Sequence, residues 1–244
     1  MSTAADAAPP GPGDVRAADL FGALSLAADL AIGLPHEHVL RSCVIGMRLA
    51  EHLALAAPQR VELYYAELLM DVGCTAWTSQ LAAFLLGDEI LARRQLVFFV
   101  DPKSPAEVLG WLREHLARGA PAPRRAQQAL DVLVHGRAHV RERFRNTCEV
   151  AQRFAQRLGM PDGVQQALLS VFEQWDGSGP RGARGRAIPL VARIVYAASF
   201  FEVFHRLGGP AAATRLARRK RATAFDPSVV DAFPRAGRQP GLLG

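Results

Sequence analysis

Lysine is nearly absent from this chain. Of 29 basic residues only Lys103 and Lys220 are lysines, and the rest are arginines. Cysteine is scarce too: Cys43, Cys74 and Cys148 stand far apart, with no CxxC pair, which excludes a disulfide framework or a compact thiolate metal site. All three fall in apolar helical contexts, where a free thiol behaves as a small hydrophobe. No uncharged apolar run is long enough to span a bilayer. Residues 1–13 lack the basic and apolar regions of a secretory signal, and their Ala, Pro and Gly content reads as a disordered tail. The chain therefore reads as cytoplasmic, with no membrane partner.

What is present is a core-forming composition. Half of the 244 residues are hydrophobic, enough for one large domain or two small ones. The net charge is +6, and the densest basic run is Arg215, Arg218, Arg219, Lys220 and Arg221. No aromatic residues interleave with that run for base stacking. It reads as a solvated helix end and argues against a nucleic-acid partner for this chain alone.

Helical periodicity dominates. The pattern predicts a helix over 19–34, with Leu20, Ala23, Leu24, Ala27 and Leu30 facing the core. A second helix opens at Pro35 and runs to about Leu55, and a third, opened by Pro58, covers 61–70. Further helices are predicted over 79–86, 89–98, 105–118, 125–134, 138–158, 161–174, 187–207 and 211–219, with another starting at Asp226-Pro227. Gly159 is a candidate C-cap and Asp226 a candidate N-cap. Val97-Phe98-Phe99-Val100 is the one β-like run, too short to tell a strand from a buried helix. The class is all-α. One helical domain is expected over 14–233, with a possible internal boundary at 119–123 and an unstructured tail over 234–244.

The most informative stretch is Phe172-Glu173-Gln174-Trp175-Asp176-Gly177-Ser178-Gly179-Pro180. It resembles the His-His-Glu-x-Trp-Asp-Gly-x-Gly-Tyr-Pro signature of the HD-GYP phosphohydrolases, a branch of the HD-domain family. Ile188-Pro189-Leu190-Val191-Ala192-Arg193-Ile194 is similar to a downstream segment of that family. So are Phe225-Asp226-Pro227 with Val230, Ala232 and Phe233, and, upstream, Ala66 to Cys74. The likeness covers about residues 35–233 and implies an HD-domain-like helical bundle. It is most specific over 172–194, and it points to an actinobacterial-type branch whose metal sites are eroded.

The resemblance further implies a bridged pair of divalent cations that hydrolyses a phosphodiester, typically cyclic di-GMP. Residue by residue, the chain keeps the scaffold of that motif and not its chemistry. Glu173, Trp175, Asp176, Gly177 and Gly179 are retained, with Asp176 expected to tie the Gly-rich loop and Trp175 to pack in the core. Two ligand positions keep their type, His38 and Asp71. Met70, Thr147, Val171, Phe172 and Ser199 stand where the family has five other ligands, and Cys74 replaces a phosphate-gripping lysine. Phe172 is expected to be buried against Met70. Each metal of such a centre needs about three firm donors, so no metal cofactor and no catalytic residue are expected.

The reading is a degenerate HD-GYP-like pseudo-enzyme acting as a regulatory, interaction or nucleotide-sensing module, with a signalling protein or a nucleotide as partner. One alternative is a working metal-dependent phosphohydrolase that uses other ligands, such as His36, Glu37 or Glu173. A second is the sensory part of a transcription regulator. His135 and His139, one turn apart without an HExxH glutamate, read as a polar helix face, and Ser178 reads as a loop residue.

Overall fold

The computed structural model describes residues 16–77, 97–100, 104–115 and 121–236. Eight α-helices are complete within them: α1 Ala17–Ile32, α2 His38–His52, α3 Ala57–Leu69, α4 Pro105–His115, α5 Ala122–Arg157, α6 Asp162–Ser170, α7 Leu190–Arg219 and α8 Pro227–Ala236. Two 3-10 turns, Val72–Trp77 and Gly185–Ala187, complete the order. Among the described residues there is no strand, only an isolated bridge between Arg221 and Phe225. The molecule is an all-α, HD-domain-like helical bundle. The helices expected over 79–86 and most of 89–98 lie outside the described residues, as do the ends of the chain at 1–15 and 237–244. Val97 and Phe98 are helical, which settles the one β-like run against a strand.

Helices α2 and α7 form the central pair. Helix α3 closes on both, α8 covers one end, and α6 bridges α3 and the long α5. The buried core joins Ile45 and Leu49 of α2, Leu63 and Leu68 of α3, Leu168 of α6, Ile194 and Phe201 of α7, and Phe233 of α8. Phe201 meets Phe233 in a tilted pair at 4.1 Å between ring centroids and Phe225 edge-on at 5.3 Å.

Several expectations are corrected. Helix α1 turns its other face inward: Leu20 and Leu30 are exposed, while Phe21, Ser25, Ala28, Asp29 and Ile32 are buried. The reason is polar. The Asp29 carboxylate accepts the Val39 N–H at 3.3 Å, supplying α2 with a cap from another helix. Helix α2 starts at His38 rather than Pro35, because Glu37 just before it sits in the left-handed region at φ 65°. Helix α5 runs unbroken through Gly136 instead of as two helices. One helical glycine costs only about 1 kcal/mol, too little to end a helix anchored by packing at its far end. Helix α6 stops at Ser170. The chain beyond it is drawn out of the helix by the Ala224 and Thr223 carbonyls, which accept the N–H groups of Trp175 (3.1 Å) and Asp176 (2.8 Å). Helix α7 begins at Leu190 and joins the two helices expected there across a break at Gly208 and Gly209, the latter at φ 67°. Both expected caps form. Gly159 ends α5 at φ 67°, and Asp226 Oδ1 accepts the Ser228 N–H at 2.8 Å.

Candidate functional site

His38 opens α2 and is fully buried. Its Nδ1 lies 2.6 Å from Glu202 Oε2 and its Nε2 3.1 Å from Ser199 Oγ. A carboxylate only accepts, so the Nδ1–H donates to Glu202. Ser199 and Glu202 are one turn apart on α7 and therefore reach the same imidazole. Glu202 Oε1 accepts the Arg206 Nε–H at 2.8 Å and lies 3.3 Å from Arg41 Nε. Burial pushes the Glu202 carboxyl up, but the hydrogen bonds from His38 and Arg206 outweigh it and hold it below the usual carboxylate range. A buried anion is thus compensated by two nitrogen donors, His38 and Arg206, and by the nearby Arg41 charge, which is the condition for keeping a charge in a core.

Met70 and Asp71 follow α3, both nearly buried. Asp71 Oδ1 accepts the Cys74 thiol at 3.6 Å. The next turn abuts α5 so closely that a Cβ on Gly73 would stand 2.2 Å from the Thr147 carbonyl oxygen. Only glycine permits that approach, which seats Gly73, two residues after Asp71, against Thr147, itself buried. Val171 is fully buried after α6. Phe172 departs from expectation. It is half-buried, and its ring meets Phe144 of α5 in a tilted pair, 4.6 Å between centroids. Its position just past the helix end, rather than within a continued α6, turns the ring toward α5.

Asp29 joins this neighbourhood. Burial pushes its carboxyl up to about 6; the charges of Asp71 and Glu202 add to the rise and that of His38 opposes it. Glu67 is fully buried on α3, and neither carboxylate oxygen has a hydrogen-bond partner among the described residues. Burial, with a smaller push from the Asp71 charge, raises it well above the carboxylate range. A Cβ on Gly46 would sit 2.5 Å from Glu67 Oε1, so glycine there makes room for the carboxyl group. The sequence reading missed Asp29, Glu67 and Glu202. For Glu202 a signal existed, its place one turn after Ser199.

The retained scaffold residues hold a loop. Glu173 Oε1 accepts the Arg181 N–H at 2.6 Å. Gly179 lies against Glu173, where a Cβ would come within 2.6 Å of Glu173 Cα. Asp176 Oδ1 accepts the Ser178 N–H at 3.0 Å and its hydroxyl at 2.6 Å, and Gly177 turns the chain at φ 83°. Trp175 is half-buried rather than in the core, with the Arg193 guanidinium 5.7 Å from its ring centroid. Arg193 also pairs with Asp226. His135 bonds Asp131 at 2.9 Å and stacks on His139 on an exposed face.

Ser199, His38 and Glu202 stand in the hydrogen-bond order of a nucleophile, base and orienting acid. However, Ser199 is only 4 % exposed and lies inside α7, whose backbone N–H groups serve the helix. That leaves little access to the hydroxyl and no backbone donors for a developing oxyanion. Among the described residues, no group of three or more His, Cys, Asp or Glu side chains is placed to hold a metal ion. No helix among them is long and apolar enough to cross a membrane.

No protein-family model matches the chain. In sequence it is similar to 3'3'-cGAMP-specific phosphodiesterase 3 of Vibrio cholerae, with 26% identity over 226 residues, 92% of this chain and 49% of that protein. In structure it is similar to a cyclic GMP-AMP specific phosphodiesterase of V. cholerae, with a TM-score of 0.67 and 26% identity. That match covers 93% of this chain and 50% of the other. The chain thus spans about half the length of the relatives it matches. The likeness supports kinship with the HD-domain phosphohydrolases.

Proposed function

We infer that this chain is a cyclic-dinucleotide-phosphodiesterase-like domain that has lost hydrolysis and serves as a regulatory or nucleotide-sensing module. The observation that carries the reading is the state of His38. Both of its ring nitrogens are engaged inside the protein, by Glu202 and Ser199. A metal at Nε2 would have to displace Ser199. The other residues assigned to the family's ligand positions include a thioether, a hydroxyl and two hydrocarbon side chains: Met70, Thr147, Val171 and Phe172. This donor set does not fit a divalent pair, which takes imidazole and carboxylate ligands.

The V. cholerae similarity, running along 92% of the chain, favours a second reading, a metal-dependent cyclic-dinucleotide phosphodiesterase. Two of the substitute ligands weighed from sequence do not favour it. His36 faces Glu37 at 3.9 Å on the surface, and Glu173 is committed to the loop. The deciding experiment incubates purified protein with 3'3'-cGAMP and cyclic di-GMP, with and without manganese or iron, and measures binding calorimetrically. Binding without turnover supports the sensing module. Turnover that a chelator abolishes and metal restores establishes the hydrolase.

A further inference from the structure

We propose that the face formed by the arginines of α5 and of the Gly-rich loop binds the phosphate backbone of a nucleic acid, independently of base sequence. This surface is separate from the buried His38 cluster and does not depend on the function proposed above. It also differs from the 215–221 run, where Arg221 is paired with Asp231 at 2.8 Å.

Arg137, Arg141 and Arg145 recur every four residues on α5, so they line one face about 6 Å apart along the axis. Glu149, the next position in the row, pairs with Arg181 of the loop at 3.1 Å. That contact lays the loop along the helix. Arg141 reaches the same loop, its guanidinium 4.0 Å from where a Gly182 Cβ would stand. Arg184 and Arg186 follow in the loop. All six arginines are exposed, and Arg137, Arg141, Arg145, Arg184 and Arg186 make no ion pair among the described residues. Glu149 is taken by Arg181, which leaves Glu142 as the exposed acid on this stretch of α5.

The chemistry of the face selects its partner. Guanidinium groups bond phosphate oxygens in pairs, with a geometry lysine cannot reproduce. A straight row of them beside a parallel loop matches an elongated anion, and duplex DNA offers a charge about every 1.7 Å along its axis. No large exposed apolar side chain is interleaved with the row. Leu130, Leu133 and Val134 lie on the helix before it. Adsorption to a bilayer would require apolar residues among the cations. The half-buried Phe144–Phe172 pair supports the helix from beneath, so the row is held rigid next to the loop.

The test uses the full chain and fluorescein-labelled DNA duplex and RNA hairpin, with anisotropy read over a salt series. The parent should bind at low salt, with affinity falling steeply as salt rises. The triple variant Arg141→Ala, Arg145→Ala, Arg184→Ala should weaken binding at least about tenfold and flatten the log–log salt slope by about 2–3, near 0.9 per lost contact. The triple Arg215→Ala, Arg218→Ala, Arg219→Ala should leave both nearly unchanged. Replacing the first three arginines by lysine should retain most of the slope, which separates lost charge from lost folding. Absence of parent binding at low salt, or equal weakening by both alanine triples, would overturn the proposal. So would binding to phosphatidylserine vesicles without binding to either nucleic acid.

Discussion

Glu67 should hold its proton more tightly in the fold than in the unfolded chain, and stability should reveal it. Both its oxygens are buried without a partner among the described residues, and burial raises its carboxyl well above the usual range. In the unfolded chain the same group ionises near its ordinary value of about 4.3. The folded state therefore binds the proton more tightly. Its contribution to stability is fully present below the ordinary carboxylate range and is lost as pH rises toward the folded value. Between those limits the loss is about 1.4 kcal/mol per pH unit. For a chain of this size that is a fall of about 3–6 °C in Tm per pH unit. Glu67→Gln keeps the shape beside Gly46 and removes the titration, so its Tm should be flatter across the same range. Asp29 contributes a slope of the same sign, but one that is complete above its value of about 6. Cys148, pushed up to about 12 by burial, enters only in alkali. The assay is thermal unfolding by circular dichroism from about pH 5 to 8.5, read as the difference between parent and Glu67→Gln so that other titrating groups, the raised Glu173 among them, cancel. If parent and Glu67→Gln show parallel Tm profiles there, Glu67 is ionised in the fold and the reasoning fails.

Other outcomes follow from the same geometry. Glu202→Ala strands His38, Arg41 and Arg206 around a missing carboxylate and should cost about 3–5 kcal/mol in denaturant unfolding. Ser199→Ala leaves one buried ring nitrogen unpartnered and should cost about 1–3 kcal/mol; equal costs for the two would contradict the network. Phe172→Ala should destabilise less than Phe201→Ala, because truncating a fully buried phenylalanine costs about 3–5 kcal/mol and Phe172 is half-exposed. Phe172→His should gain no phosphodiesterase activity, since Met70 and Val171 still offer no donor; turnover in that variant would reverse the reading of the site. Gly179→Ala drives a methyl group into the Glu173 backbone and should loosen the loop, detected as faster proteolysis near Arg181 and Arg184, whereas Gly159→Ala meets no neighbouring atom and should affect stability only through its positive φ.

The helical class and the segment whose glycines and acids build the loop were legible in the sequence alone. These are local properties. Periodicity, a cap at Asp226, and the spacing of Glu173, Asp176 and Gly179 act over a few residues and survive without knowledge of neighbours. Tertiary structure decided the rest. Leu20 and Leu30 of the α1 stripe point to solvent, because Ser25 and Asp29 are buried, with Asp29 capping α2, and that polar face hid the true core side. Helix α6 gives way after Ser170 to a chain that the Ala224 and Thr223 carbonyls, about fifty residues away in sequence, hold at Trp175 and Asp176. The His38–Glu202 bond joins residues 164 apart, and the arginine face depends on a loop folding back along α5. A carboxyl group's proton affinity, a helix's buried side and a patch's charge density are set by what lies within a few ångströms in space, and for this chain most of those neighbours are distant in sequence.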